Sequence, residues 1–452
     1  MTISRRRPMM WAAGNWIGST VLLVLAAGCG PGIFDSDAAL GPPFPKPISA
    51  VPADELPESD GYWPRFLGPT GDGISTDTGL LREWPDDGPR LLWTARGIGE
   101  GYSSISLADG RILTAGNLGR QTVITAMDTR GHILWQTPNG PAWTGSYPGT
   151  RSTPTIDGDR IYHQNPHGDI VCLLAEDGSV QWTANVLNRF GSRNIRWALA
   201  ESLLIDGPHV ISTPGGPNTA VVALDKMTGQ TVWQSESADG DLAGYASPAL
   251  IEYQGRRLIL TMTAQAFIGV DADEGQLLWR WPHRASYDIN VLTPIFHEGR
   301  MFISSGYGTG SQMLQLIVDG NQVSVQPLWS HRDFDNHQDG AVLIDGYLYG
   351  SSHRGTWFCL DWETGAEQYR DRGIGKGSVT YADGLLFMLS ERFRVGLAEC
   401  TPEEYRLISE FRLPDQGDGR SWAYPVVSDG RLYIRHGNYL YCYDVARDGA
   451  ST

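Results

Sequence analysis

The sequence predicts an all-β fold: an eight-bladed β-propeller of four-stranded antiparallel blades, closed by pairing its N- and C-terminal strands. Three observations predict it. A short pattern recurs at intervals of roughly 40 to 50 residues, clearest in Ala223-Leu-Asp225-Lys-Met-Thr228-Gly229-Gln-Thr-Val-Trp233 and Gly269-Val-Asp271-Ala-Asp-Glu-Gly275-Gln-Leu-Leu-Trp279. A turn dipeptide precedes a short β-rich run eight times: Asp109-Gly110, Asp157-Gly158, Asp206-Gly207, Gln254-Gly255, Glu298-Gly299, Asp345-Gly346, Asp383-Gly384 and Asp429-Gly430. The outer-strand aromatics also number eight, from Trp93 through Trp135, Trp182, Trp233, Trp279, Trp329 and Tyr369 to Phe411.

Each element of the unit has a local cause. Asp-Gly between apolar runs marks a tight hairpin, because Gly accepts the positive φ of a primed turn. The following run alternates, as in Arg300-Met-Phe-Ile-Ser304 and Arg431-Leu-Tyr-Ile-Arg435. The Thr-Gly step makes a second hairpin, and a strand ending in Trp follows. Such a sheet cannot bury both faces alone, so radial stacking on its neighbours is the stable arrangement. The recurrent Trp or Tyr fills the space between blades.

The ends predict closure. Leu91-Leu92-Trp93 precedes any complete unit, and the last unit stops at Leu440-Tyr-Cys-Tyr-Asp444 without its outer strand. The extra first strand therefore completes the last blade. A seven-bladed ring is the competitor, because residues 312–329 are degenerate. Weaker copies of the repeat put Cys172, Cys359 and Cys442 where others have Ala126, Ala223 or Gly269, so Cys is expected there as a small buried hydrophobe. Cys400 has no such place. No CxxC or adjacent cysteine pair occurs, which disfavours a zinc ribbon, a c-type haem and a vicinal disulfide.

The first 29 residues read as a lipoprotein-type signal: Arg5-Arg6-Arg7, a short apolar stretch from Ile17 to Ala27, and Leu25-Ala-Ala-Gly28-Cys29. Lipidation is expected at Cys29, and an ordinary cleaved signal is the plainer alternative. Residues 30–60, with Pro42, Pro43, Pro45 and Pro47, read as a disordered tether. Residues 61–90 are an N-terminal lead-in segment, and residues 91–449 the propeller. An exported, lipid-anchored protein at the cell envelope follows, with the periplasmic face of an outer membrane as its expected place. The net charge of −16, without a Lys/Arg-rich run outside the N-terminus, argues against nucleic acid as a partner.

The repeat, Ala-x-Asp-x-x-Thr-Gly-x-x-x-Trp, resembles that of the pyrroloquinoline-quinone-like (PQQ-like) propellers from about residue 90 to the end. Trp63-Pro-Arg-Phe66-Leu-Gly68-Pro69, Thr213-Pro-Gly-Gly216 and Gly375-Lys-Gly377-Ser378 look like a bacterial lipoprotein subgroup of planctomycete type. The family is similar to the propeller lipoprotein of outer-membrane barrel assembly. The resemblance implies an envelope-anchored binding or scaffold module without catalysis of its own, whose protein partner is met through rim loops or blade edges. The alternative it implies is a quinone-dependent alcohol dehydrogenase using PQQ and calcium at the central rim. That branch shows a vicinal Cys pair, which this chain lacks.

Aligning the inner strands gives one rim position per blade: Tyr102, Arg151, Ala200, Tyr245, Val291, Gln338, Lys376 and Trp422, flanked by Glu201 and His337. Two cations and three aromatics converging there suit an anionic or planar ligand. A polar, water-filled channel is the plainer reading. Trp143, Trp197 and Trp422 also suit a carbohydrate. Asp333, Asp335 and His337 alternate along one loop but lack EF-hand or zinc spacing, so no metal site is expected. Gly306-Tyr-Gly308-Thr-Gly310 reads as a rim loop, since no helix follows it. No Gly-x-Ser-x-Gly elbow supports a catalytic triad. Pro402-Glu-Glu-Tyr-Arg-Leu407 is a short helical candidate on the surface.

Overall fold

In a computed structural model, residues 44–49, 51, 56, 58–338, 340–414 and 419–447 are described. The expected signal, Cys29 and most of the Pro-rich stretch lie outside them. Eight antiparallel sheets follow one another: blades 1 to 7 cover residues 106–141, 155–185, 204–234, 249–282, 295–331, 341–371 and 377–412. Blade 8 joins residues 426–444 to Leu91–Arg96, with Trp93 paired to Cys442 and Leu91 to Tyr443. The ring is closed by the two ends of the chain, and the seven-bladed alternative falls.

The turn chemistry is as the dipeptides require, in two variants. At Asp109-Gly110, Gln254-Gly255, Glu298-Gly299, Asp345-Gly346, Asp383-Gly384 and Asp429-Gly430 both residues have φ between +47° and +82°, the pattern of a type I′ turn. In blades 2 and 3 the strand partners are Asp157–Arg160 and Asp206–His209, so Gly158 and Gly207 take the first turn position, as in type II′.

The second hairpin explains the repeat. Asp225 Oδ1 accepts from the backbone N–H groups of Met227 and Thr228 and from the Thr228 hydroxyl, at 3.1, 2.8 and 2.8 Å. Asp361 does the same for Thr364. These bonds hold Gly229 and Gly365 at φ of +68° and +69°. Each such glycine abuts the outer-strand ring of the preceding blade. A Cβ on Gly131, Gly178, Gly229, Gly275 or Gly365 would come within 2.5–2.7 Å of Trp93, Trp135, Trp182, Trp233 or Trp329 respectively. Four of these indoles also donate to a carbonyl of the next blade: Trp93 to Thr129 (3.1 Å), Trp135 to Ala175 (3.2 Å), Trp182 to Lys226 (2.9 Å) and Trp329 to Trp362 (3.1 Å). Within its own blade the ring faces the small residue, as in Ala223–Trp233, Gly269–Trp279 and Cys359–Tyr369. Cys172, Cys359 and Cys442 are buried free thiols there.

Three joints depart from the pattern, one of them after Tyr369, which meets Tyr405 of blade 7 at 6.2 Å in place of a motif glycine. Blade 5 replaces the Asp-x-x-Thr-Gly turn with a long hairpin, Gly310–Asp319 and Gln322–His331. Trp279 therefore meets no glycine of the next blade, and its Nε1 has no partner among the described residues. In blade 7 the residue opposite Leu397, just before the bulge, is Ser409, while Phe411 pairs with Val395. Phe411 is thus displaced by two residues from the expected register. The joint is filled instead by Trp84 of the lead-in segment, 5.7 Å from Phe411 and 5.8 Å from Phe387. The Trp84 backbone N–H donates to Ser409 Oγ at 2.8 Å. Gly88 takes the place of the motif glycine against Phe411. At closure the motif is split: Asp444 comes from one chain end, Gly88 and Trp93 from the other, joined by Asp444 N–H to the Arg90 carbonyl at 2.8 Å.

Arg435, 1% exposed, fastens blade 8 to blade 1. Its guanidinium donates to the carbonyls of Gly99, Ser103 and Ala115 (2.9, 3.0 and 2.5 Å) and to Thr114 Oγ1 (2.8 Å). Ile48–Ser49 adds a fifth strand outside Leu91–Arg96, and Val51 and Leu56 are buried, so the described part of the Pro-rich stretch lies on this blade. Pro402–Leu407 forms no helix. Among the described residues the α-helix is Val186–Phe190, capped by Asn185 and ended by Gly191 in the left-handed region.

Candidate functional site

Inner strands start at one end of the central channel and finish at their Asp-Gly turns, so side chains just before each strand ring one mouth. All eight expected rim positions, Tyr102, Arg151, Ala200, Tyr245, Val291, Gln338, Lys376 and Trp422, line one cavity of about 510 Å³. Eight blades place them there because each unit repeats the same strand-start geometry. His337 lines it too. Glu201 does not: it is 3% exposed and lies in the wall behind, accepting from Ser212 Oγ (2.6 Å), Gln164 Nε2 (3.1 Å) and Thr213 N (2.9 Å). Burial raises its pKa against the lowering effect of those bonds. Of the three tryptophans, Trp197 and Trp422 line the cavity, whereas Trp143 packs beside His167.

The cavity floor was not legible in the sequence. The lead-in segment crosses the far end of the channel: Trp63 bridges to Leu107 of blade 1, and the Pro64 carbonyl accepts from Ile156 of blade 2 at 2.7 Å. Further on, Gly73 and Ser75 exchange backbone bonds with Tyr381 of blade 7 at 3.0 and 2.8 Å. Phe66, Leu67, Gly71 and Asp72 thereby line the cavity from below. The glycines at 68, 71 and 73, all at φ near +80°, were the only local signal of this path.

The two expected cations differ. Lys376 is engaged: its Nζ lies 2.9 Å from Glu391, 3.1 Å from Gln338 Oε1, 3.2 Å from His337 Nδ1 and 3.4 Å from His353 Nδ1. An ammonium only donates, so both imidazoles accept at Nδ1 and carry their proton at Nε2. Burial, then Lys376, holds both histidines below their ordinary pKa, His337 strongly. Arg420 reaches the other oxygen of Glu391 at 3.4 Å. Arg151 bonds carbonyls of its own loop, Tyr147 at 3.0 Å and Gly149 at 3.3 Å, and lies 5.4 Å from the Tyr102 ring centroid. Burial lowers its pKa.

Aromatic side chains surround these charges. Trp422 packs on Tyr102 and Tyr147 at 4.6 and 5.0 Å, Trp197 on Tyr245 and Tyr287 at 6.3 and 6.2 Å, and Tyr307 on His353 at 4.1 Å. Tyr245 is mostly buried and accepts from Trp197 N at 3.3 Å. The Gly306–Gly310 segment is a rim loop that delivers Tyr307, with Gly308 N–H donating to Asp335 at 2.7 Å. Asp335 is buried and accepts also from His353 N at 3.1 Å, whereas Asp333 points elsewhere, to Arg370 at 3.2 Å. The alternating loop therefore disperses its acids, and no group of three metal-ligating side chains occurs among the described residues.

This lining bears on the calcium that the resemblance implies beside a quinone. The carboxylate at the mouth, Glu391, is held by Lys376 and Arg420, so a divalent cation set there would face two positive charges. No group of three His, Cys, Asp or Glu side chains occurs among the described residues to build a calcium site around it. At Glu391 the lining does not fit the calcium that would accompany the quinone.

Comparison with known proteins adds the following. The family model described as "Outer membrane protein assembly factor BamB" matches residues 74–213 and 119–370. No curated protein matches the chain by sequence. The solved structure of BamB from Moraxella catarrhalis superposes with a TM-score of 0.58 at 15% identity, covering 79% of this chain and 99% of that one. The quinohemoprotein alcohol dehydrogenase from Comamonas testosteroni gives 0.59 at 11%, covering 89% and 83%. The computationally designed Ika8 protein gives 0.56 at 12%, covering 79% and 100%. At these identities the likeness is one of fold.

Proposed function

Since the chain belongs to the family of outer membrane protein assembly factor BamB, we propose that it is an envelope propeller acting as a binding scaffold, without catalysis of its own. The family match over residues 74–370 carries this reading. The sequence supports its place: Arg5-Arg6-Arg7 and Leu25-Ala-Ala-Gly28-Cys29 suit export and lipidation at Cys29, which would set the propeller at the periplasmic face of an outer membrane. Partner contact belongs to the loops of the open mouth, because the other end of the channel is crossed by the lead-in segment. Tyr, Trp and Arg, the residue types that dominate protein-binding energetics, are gathered around that mouth.

The test uses photo-crosslinking residues at Tyr147 and Tyr287 in a diderm host, with radiolabelled palmitate to follow lipidation. Cross-links to an integral outer-membrane assembly protein, and label lost in Cys29→Ser, are expected. Dye-linked alcohol oxidation after adding quinone and calcium would overturn the scaffold reading.

A further inference from the structure

Neighbouring blades diverge towards the end that carries the Asp-Gly turns, and at one joint the wedge between them is open. One position on the second strand of each blade faces the next blade across this wedge. It holds Tyr162, Phe302, Tyr349, Phe387 and Tyr433 in blades 2, 5, 6, 7 and 8, opposite Cys172, Met313, Cys359, Leu397 and Cys442. Blades 3 and 4 have Ile211 and Leu260 there, and other groups close their joints. Asp206 pairs with Arg257, and Tyr253 packs edge-on against Phe296 at 5.7 Å. Blade 1 has Leu113, opposite Ala126. A cleft of about 340 Å³ remains between blades 1 and 2, lined by Leu113, Ile156 and Ile161 and by Asp109, Arg111 and Glu176. Arg111 makes no ion pair among the described residues, and its Nε is buried without a partner.

The chain itself shows what such a wedge accepts. At the joint of blades 7 and 8 the lead-in segment inserts Leu80, 1% exposed, into one apolar cluster with Leu385, Val427 and Val445. Leu80 N–H donates to the Asp383 carboxylate at 3.0 Å, and Arg82 pairs with the same carboxylate at 2.9 Å. Between blades 8 and 1, Asp60 N–H donates to the Asp429 carboxylate at 3.2 Å. Asp383 and Asp429 open their Asp-Gly turns, the place that Asp109 holds in blade 1. The Asp109 carboxylate takes no N–H among the described residues, and its carbonyl accepts from Arg111 at 3.4 Å. The described lead-in segment is already committed to the other two joints, which leaves another protein as the occupant. We infer that the cleft between blades 1 and 2 docks an extended segment of a partner protein in which a leucine-like side chain is followed two residues later by Arg or Lys. The apolar side chain enters beside Leu113, the segment's N–H reaches Asp109, and its cation meets Asp109, Asp159 and Glu176. Three carboxylates against Arg111 select that charge. Arg111 Nε donates to a carbonyl of the segment. The cleft lies at the opposite end of the ring from the mouth, so it neither needs nor excludes the contacts proposed there.

Fluorescence polarisation of a labelled peptide, Thr-Gly-Leu-Leu-Arg-Glu-Trp, copied from residues 78–84, against the purified protein tests this. Saturable binding is expected. Replacing the first leucine of the peptide by Ser should weaken it about tenfold or more, and replacing its Arg by Glu about threefold or more. Leu113→Phe gives blade 1 the ring that Phe302 and Phe387 supply elsewhere. It should abolish binding while the melting temperature stays unchanged or rises. Asp109→Asn keeps the turn and should weaken binding about threefold. No saturable binding, equal binding of the Ser or Glu peptide, or undiminished binding by folded Leu113→Phe overturns the proposal. Dimerisation of the unaltered protein in sedimentation velocity, lost in Leu113→Phe, also overturns it, in favour of a second copy as the occupant.

Discussion

Trp182 of blade 2 and Gly229 of blade 3 are in contact so close that a Cβ on the glycine would lie 2.5 Å from the indole ring. Three features meet at this point. The Asp225 turn sets the glycine's φ, the glycine admits the ring, and the ring's N–H reaches the Lys226 carbonyl. Each repeat of the sequence is thus half of two joints, one with the blade before and one with the blade after.

Gly229→Ala should therefore destabilise the protein by more than the roughly 1–2 kcal/mol of a left-handed Ala alone, since the methyl also strikes Trp182. Trp182→Ala should cost about 3–5 kcal/mol. The double variant should be less destabilised than the sum, because removing the ring removes the clash. Urea denaturation of the four proteins measures that coupling.

Arg435 makes a different kind of joint. Its guanidinium is buried among neutral acceptors, and burial pushes its pKa down to about 9. Arg435→Met would leave the carbonyls of Gly99, Ser103 and Ala115 short of a donor, at about 1–3 kcal/mol for each that stays dry. A loss of about 3 kcal/mol or more is expected in thermal unfolding, with hydrogen exchange rising first in Leu91–Arg96 and Arg431–His436.

His283 predicts an acid-sensitive fold. Burial lowers its pKa to about 4, and its Nε2 lies 3.1 Å from Ser305 Oγ. Between about pH 6.5 and 4 the unfolded chain binds this proton and the folded chain does not, so stability falls as pH falls through that window. The slope is about 1.4 kcal/mol per pH unit for one group. His283→Gln should flatten the dependence of melting temperature on pH between 6.5 and 4, whereas an unchanged slope would remove His283 from the account.

At the mouth, Lys376 restrains two histidines. In Lys376→Met the His353 ring should titrate at higher pH than in the parent, because burial remains but the adjacent positive charge is gone. Imidazole NMR shifts across pH 4 to 8 report it.

The architecture was legible because its causes are local. A Gly that must be left-handed, a small residue beneath a ring, and an unfinished unit at each end can all be seen in the chain, and they sufficed for eight blades, the closure and the ring of eight rim residues. The register of Phe411 was not legible, since Ser409 and Trp84 share a task that elsewhere belongs to one Trp. The floor was not legible either, because residues 63–75 carry no repeat and bond to blades 1, 2 and 7 from far along the sequence. The pairing of Lys376 with Glu391 depends on a turn fifteen residues away. Tyr147 and Tyr307, at φ of +55° and +59°, run against propensity, which would have placed Gly or Asn there.

Because Leu91–Arg96 completes the blade begun by residues 426–444, the first blade strand to be synthesised waits for the last. Throughout synthesis that strand offers an open hydrogen-bonding edge, a hazard for mispairing with other chains. A product cut short before Tyr439 can never cover it. An early-terminated copy therefore keeps an unpaired edge on the strand that opened its final blade.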